Sequence, residues 1–231
     1  MPDASISDAP AGRVVRGTAR ARLLDAAVQV IRSKGLSATS VDELCAAAGV
    51  TKGAFFHHFE SKQALAVAAA EHWSQTTGAL FAAADYHSIA DPLDRILGYL
   101  DLRAQLIAGS PADYTCLVGT MTQEAFATNP DVRDACAASI FGHARTLERD
   151  FEEALAAAGH PPDVDAEGLA RHTQAVLQGA FVLSKAADDP TLVTDSIAHL
   201  RRYLELVLGR DDDDDTIQHN NQHNNQEIDH G

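Results

Sequence analysis

The stretch SVDELCAAAGVTKGAFFHHFESK, residues 40–62, decides the fold. Ser40 and Glu43 have the spacing of a capping box, in which a hydroxyl and a carboxylate satisfy reciprocal backbone N–H groups at a helix start. The helix they open is short and ends near Ala48, because Gly49 tolerates the left-handed conformation that helix ends need. Val50 follows, and Thr51 is a good N-cap for the next helix, through about Phe59. Ser61 is placed to cap a further one. Val41, Leu44 and Cys45 share one face at helical spacing, and Phe55 and Phe59 do the same on the second helix, so these faces point to a core. The opposite face presents Thr51, Lys52, Ala54, His57 and His58. Two short helices about a glycine turn describe a helix-turn-helix, whose second helix enters the major groove of DNA. Small and basic residues there permit close approach and donate hydrogen bonds to phosphates and base edges.

Working outward, a helix is predicted from about Thr18 to Lys34, with Leu23, Ala27, Val30 and Ile31 on one face and Gly35 as its stop. Residues 1–12 are small and polar, broken by Pro2 and Pro10, and read as a disordered arm without the basic start and apolar core of a secretory leader. Residues 13–62 hold eight basic side chains (Arg13, Arg16, Arg20, Arg22, Arg32, Lys34, Lys52, Lys62) against four acidic ones (Asp25, Asp42, Glu43, Glu60), a local +4 within a chain of net −15. Docking on DNA follows local charge, so a basic module on an acidic body is compatible with it.

Downstream of residue 62 the pattern stays helical. Leu65, Ala69, His72, Trp73 and Thr76 share a face. Asp91-Pro92 opens a segment that Gly109-Ser110-Pro111 breaks, and Tyr114–Thr128 is predicted as one helix. Asn129-Pro130 starts a long helix to Ala158, Gly159-His160-Pro161-Pro162 stops it, and two more run from about Asp163 to Ala187 and Pro190 to Leu208. No alternation of period two is sustained, so the predicted fold class is all-α. Residues 210–231, an Asp211–Asp215 run followed by a His/Asn/Gln-rich stretch, cannot build a core and read as a disordered tail. The expected organisation is therefore an arm (1–12), a DNA-binding module (13–62), a helical body (63–209) and a tail (210–231).

The 231 residues suffice for a real core, and 45% hydrophobic content is that of an ordinary globular protein. The chain lacks a run of about 18 apolar residues, so no membrane partner is expected. Cys45, Cys116 and Cys136 are irregularly spaced, which suggests a reducing, cytoplasmic setting over a disulfide framework. Neither a metal nor a cofactor is assigned, since only the composition of the tail, with His219, His223 and His230, speaks for metal binding.

The region Thr18–Trp73 resembles the DNA-binding domain of the tetracycline-repressor (TetR) family. The resemblance rests on Arg22-Leu23-Leu24-Asp25-Ala26-Ala27, on Gly35-Leu36-Ser37-Ala38-Thr39-Ser40-Val41, on Ala46 through Phe55 and on His57 through Leu65. It implies an N-terminal helix-turn-helix domain of three helices with a larger helical body, acting as a DNA-binding repressor. Thr39 and Ser40 would touch phosphate. Lys52, Gly53, Ala54, His57 and His58 would reach base edges and backbone, and Lys62 would anchor a phosphate. The family usually has tyrosine where this chain has Phe56, which removes one phosphate contact and suggests that Phe56 packs instead.

The resemblance further implies a homodimer paired through its last two long helices, a palindromic double-stranded operator, and a small-molecule effector bound between about Leu93 and Phe181. The apolar stripes themselves suggest an interface of Val176, Phe181, Ile197, Leu200, Tyr203, Leu204 and Val207. Candidate effector-binding groups are Arg103, Cys116, Met121, Gln123, Phe126, His143 and His172, polar or polarizable side chains on apolar helices. Cys116, expected near a helix N-terminus, admits two further readings: a sensor of electrophiles or oxidants, or the nucleophile of a helical thiol enzyme. A third treats the acidic tail as a recruiter of partners. Against the enzyme stand the absence of an orienting third group and of an oxyanion loop. Cys45 and Cys136 read as packing residues.

Overall fold

The computed structural model describes residues 17–159, 161 and 163–209. The arm, Arg13, Arg16 and the tail with its histidines lie outside the described residues. Those described form ten α-helices and no strand: α1 (Ala19–Lys34), α2 (Val41–Ala48), α3 (Lys52–His58), α4 (Lys62–Ala82), α5 (Pro92–Gln105), α6 (Pro111–Tyr114), α7 (Leu117–Ala125), α8 (Pro130–Ala157), α9 (Ala166–Ala187) and α10 (Thr191–Val207). A 3₁₀ turn, Asp85–Ser88, links α4 to α5.

The caps read at Ser40, Thr51 and Ser61 form, and Thr18 caps α1 as well. Thr18, Thr51 and Ser61 each accept a backbone N–H three residues on, at 3.2, 3.1 and 3.0 Å. Ser40 and Glu43 complete their capping box, and Gly49 ends α2 at φ +62°. The Arg22 guanidinium donates to the Gly49 carbonyl (3.2 Å), tying α1 to the turn that aims α3.

Two hydrophobic cores result. One gathers Leu23, Ile31, Leu44, Phe55, Phe59 and Leu65 of the head with Leu117, Val118 and Met121 of α7 and Cys136 of α8. The other lies among α4, α5, α8, α9 and α10 around Phe81, Tyr99, Leu100, Phe151 and Leu177. A buried ion pair braces the second: Arg95 Nε of α5 meets Asp150 of α8 at 3.1 Å, and the same guanidinium reaches Glu153 and the carbonyls of Ile89 and Ala90.

The single helix expected over Tyr114–Thr128 is broken. Ser110 and Asp113 cap the short α6, Thr115 and Cys116 are extended, and Cys116 starts α7 by accepting the Gly119 N–H (3.5 Å). The break has two anchors. Tyr114 is buried with its hydroxyl 2.6 Å from that of Ser184, and the Thr115 carbonyl accepts from Arg32 Nε of α1 at 2.7 Å. The end of α9 and the head thus hold the two flanks of the break in different directions.

Candidate DNA-binding face and ligand cavity

On α3 and its cap the residues Thr51, Lys52, Gly53, Phe56 and His57 are exposed, Ala54 and His58 half-exposed, and Phe55 buried beneath them. The N-terminus of α2 brings Ser40 to the same side. Lys52 Nζ sits 2.8 Å from Asp42, whose carboxylate raises the lysine pKa through hydrogen bond and charge. Glu43 is held down to about 2 by Lys34 and then by the N–H and hydroxyl of Ser40, so the capping carboxylate stays charged near neutrality. Both pairs are exposed, and pairs of this kind contribute little, about 0–1 kcal/mol. Replacing Asp42 by a phosphate as the partner of Lys52 therefore costs the fold little.

Three expected roles are corrected by this geometry. Thr39 is only 2% exposed and its hydroxyl donates to the Gly35 carbonyl at 2.6 Å, so it closes the α1–α2 loop from inside. Lys62 Nζ donates to the carbonyls of Leu36 and Thr39 at 2.8 and 2.7 Å, and lies 3.5 Å from that of Ser37. The loop leaves those carbonyls without helical partners and the lysine supplies donors, which makes it a brace of the loop in place of a phosphate anchor. Phe56 does not pack away. It is 53% exposed, edge-on to Phe55 with centroids 5.1 Å apart, and offers an apolar surface beside Lys52 and His57.

In the body, Arg103, Cys116 and His143 line one cavity of about 280 Å³, walled by Trp73, Phe81, Ile140, Leu177 and Phe181. Arg103 and His143 meet Tyr99 in one polar network. The arginine donates from Nε to the Tyr99 hydroxyl (2.8 Å) and from Nη2 to His143 Nε2 (2.8 Å), Tyr99 lies 3.0 Å from the same nitrogen, and Gln174 donates to Tyr99 at 3.3 Å. Burial, reinforced by the Arg103 charge, pushes the His143 pKa down to about 3, so its imidazole is neutral and acts as acceptor. Trp73 was read only as part of a helix face and Phe81 went unnoticed in the sequence, although Trp73, Thr77 and Phe81 form an i, i+4, i+8 stripe on α4 that would have marked both as cavity wall.

The other cavity candidates are placed elsewhere. Met121 is fully buried in the core of the head, because α7 turns that face toward α1. Gln123 is exposed along a neighbouring groove that also touches Cys116 and Lys185. Phe126 stands 61% exposed at the end of α7. His172 lies on the outer face of α9, edge-on to Tyr203 of α10 with ring centres 5.1 Å apart. Among the described residues no group of three or more His, Cys, Asp or Glu side chains is placed to hold a metal ion.

Two family models match the chain in succession: bacterial regulatory proteins of the tetR family over residues 23–69, and the tetracyclin repressor-like C-terminal domain over residues 92–200. The chain belongs to the TetR family. The transcriptional regulator AcuR of Cereibacter sphaeroides is 28% identical over 176 residues, which cover 76% of this chain and 80% of AcuR. Among solved structures, a regulatory protein TetR from Rhodobacter sphaeroides aligns with a TM-score of 0.72 at 27% identity, covering 80% of this chain and 98% of its own. A TetR transcriptional regulator from Chloroflexus aurantiacus aligns at 0.69, also at 27% identity, covering 80% and 93%. TetR-family proteins are transcriptional regulators, typically ligand-responsive repressors, and not enzymes, so Cys116 is no catalytic nucleophile. They bind DNA and small-molecule effectors and form dimers. No described helix of this TetR-family regulator is long and apolar enough to cross a membrane.

The expected dimer surface needs correction. Phe181, Ile197, Leu200 and Leu204 are buried in the core of the protomer itself, and Val176 and Val207 pack against it. Each terminal helix turns its stronger stripe inward, because a protomer must first fill its own core. The most exposed apolar groups are Val182 and Leu183 on α9 and Tyr203 and Leu206 on α10; of the expected set Tyr203 is exposed and Val176 and Val207 are half-buried.

Proposed function

We propose that this chain is a homodimeric repressor that grips a palindromic operator with two copies of α3 and lets go when a small molecule enters the cavity. The DNA-reading set is Ser40, Thr51, Lys52, Gly53, Ala54, Phe56, His57 and His58. The pairing surface is the outward stripe of Val182, Leu183, Tyr203 and Leu206, since large apolar groups clustered on adjacent helices are costly to leave in water. A two-fold axis there would set two recognition helices for successive major grooves. The relative DhaR of a Mycobacterium species, 26% identical over 111 residues, carries the name of a repressor, which favours repression over activation.

The observation that carries this reading is the double duty of α7. At its start Cys116 and Val118 line the cavity, while Val118 and Met121 are buried in the core of the head. At its far end the Glu124 carboxylate accepts the backbone N–H groups of Leu36 (3.2 Å) and Ser37 (2.6 Å) in the α1–α2 loop. A ligand that binds better when α7 is displaced would favour a state in which the head is displaced too, which is a population shift between two arrangements. The experiment is a gel shift of purified protein on fragments from its own upstream region against random DNA at moderate ionic strength. Preferential retention of one fragment is expected. Equal retention of all fragments would overturn the reading.

A further inference from the structure

We propose that the effector of this cavity is a small organic monocarboxylate, whose carboxylate pairs with Arg103 while its apolar body lies between Trp73, Phe81 and Phe181. This deepens the regulator reading above and rests on it. The starting observation is a charge without a counter-charge. Arg103 is half-buried, and among the described residues no carboxylate lies within ion-pair distance of it. Its protein partners are the Tyr99 hydroxyl and a neutral imidazole, and Nη1 makes no hydrogen bond among the described residues. Asp113, which shares a neighbouring groove with Arg103, accepts instead from the N–H and hydroxyl of Ser110 at 2.8 and 2.7 Å.

Partial burial of an unpaired cation is unfavourable, and such groups are ordinarily paired. Stacking on Phe81, with the guanidinium carbon 4.2 Å from the ring centre, offsets part of that cost but supplies no negative charge. The network also aims the group. Tyr99 and His143 hold Nε and Nη2, so the remaining edge of the guanidinium has a fixed direction, as pre-organised recognition of an anion requires. His143 serves this by staying neutral, since a protonated ring would repel Arg103 and offer no acceptor.

The charge count selects the class of anion. Arg103 is the one Lys, Arg, Asp or Glu among the described residues lining the cavity. A monoanion is neutralised by it, whereas a dianionic phosphate would leave one negative charge without a counter-charge. Trp73, Phe81, Ile140, Leu177 and Phe181 give the cavity an apolar side, Ser139, Thr146, Gln174 and Gln178 add neutral polar groups, and the volume, about 280 Å³, suits a small molecule, so the body attached to the carboxylate is compact, uncharged and largely apolar.

The test is calorimetric titration of the full-length protein with benzoate and benzamide, hexanoate and hexanamide, and phenyl phosphate, followed by the same acids in the gel shift. At least one acid is expected to bind below about 1 mM, roughly tenfold or more tighter than its amide, as a lost charged hydrogen bond implies. That acid should also release the retained DNA fragment. Arg103→Gln should remove the preference for acid over amide while leaving ligand-free DNA binding intact, and Arg103→Lys should keep part of it. Three results would overturn the proposal: amides binding as tightly as acids, every carboxylate failing to bind, or phenyl phosphate binding tighter than benzoate. The comparison of acid with amide on the unsubstituted protein decides the matter even where the variants misfold. Retained DNA selectivity with inert carboxylates would remove only the ligand class, whereas loss of DNA selectivity would remove the regulator reading itself.

Discussion

Two ion pairs of the same chemical kind behave as opposites in the two halves of this regulator. Arg95 and Asp150 join α5 to α8 in the body with side chains 10% and 4% exposed, and Lys52 and Asp42 join α3 to α2 in the head at 58% and 72%. The distances, 3.1 and 2.8 Å, do not reveal the difference. The surroundings do. In the body water cannot replace a lost partner, so the pair is part of the fold, while in the head water or a phosphate can, so the pair is a resting arrangement. A regulator needs both kinds: fixed charges where its shape is maintained and exchangeable ones on the face proposed to meet DNA.

The contrast can be broken from either side. The largest effect is expected for Asp150→Ala, which strands Arg95 in the interior and should destabilise the protein by about 3–5 kcal/mol in urea unfolding. A loss below about 1 kcal/mol would mean that Glu153 and water compensate, and the two pairs would then be alike. Next comes an apolar version of the contrast on α9, where Leu177 is inside and Leu183 is 57% exposed. Leu183→Arg should yield a folded monomer in sedimentation and weaken operator binding roughly 100-fold, since linked sites gain about 10²–10⁴ over single ones. A dimer that persists would place the interface elsewhere.

Lys52→Ala should lower operator affinity roughly tenfold and reduce the salt slope by about one, with thermal stability nearly unchanged. An unchanged slope would show that the lysine never leaves Asp42. A smaller effect concerns acid. His143 is neutral in the fold with its pKa near 3, against 6.5 ordinarily. The unfolded chain therefore takes up the proton first, and the contribution of this group, complete above about pH 6.5, declines as pH falls toward 3. His143→Gln should flatten that part of the stability profile relative to the unsubstituted protein. The smallest effect is expected for Asp42→Ala, within about 0.5 kcal/mol in stability.

What was legible in the sequence follows the same division. The head is written in local rules: Ser40 with Glu43, Gly49, Thr51 and Ser61 each act within a few residues, and each forms as read. Thr39 and Lys62 were misjudged because their partners are carbonyls of a loop whose path no spacing reveals. In the body, polar residues on apolar helices led to Arg103, Cys116 and His143, which share a cavity. The same rule failed for Met121, Phe126 and His172, because periodicity shows that a helix has an inner face without showing which neighbour that face meets. Helix α7 packs on the head as well as on α8, and Met121 is fully buried on that side, away from the cavity. The dimer stripe was misjudged for a related reason. A terminal helix carries two apolar faces, and the stronger one fills the protomer.

Gly35 lies at φ +89°, and a Cβ there would strike the Glu124 carboxylate that holds the next two backbone N–H groups. At this point the head and α7 meet without slack, one glycine on one side and one carboxylate on the other. Any side chain at position 35 must push that carboxylate aside, so it would disturb the proposed coupling while leaving both the cavity lining and α3 as they are.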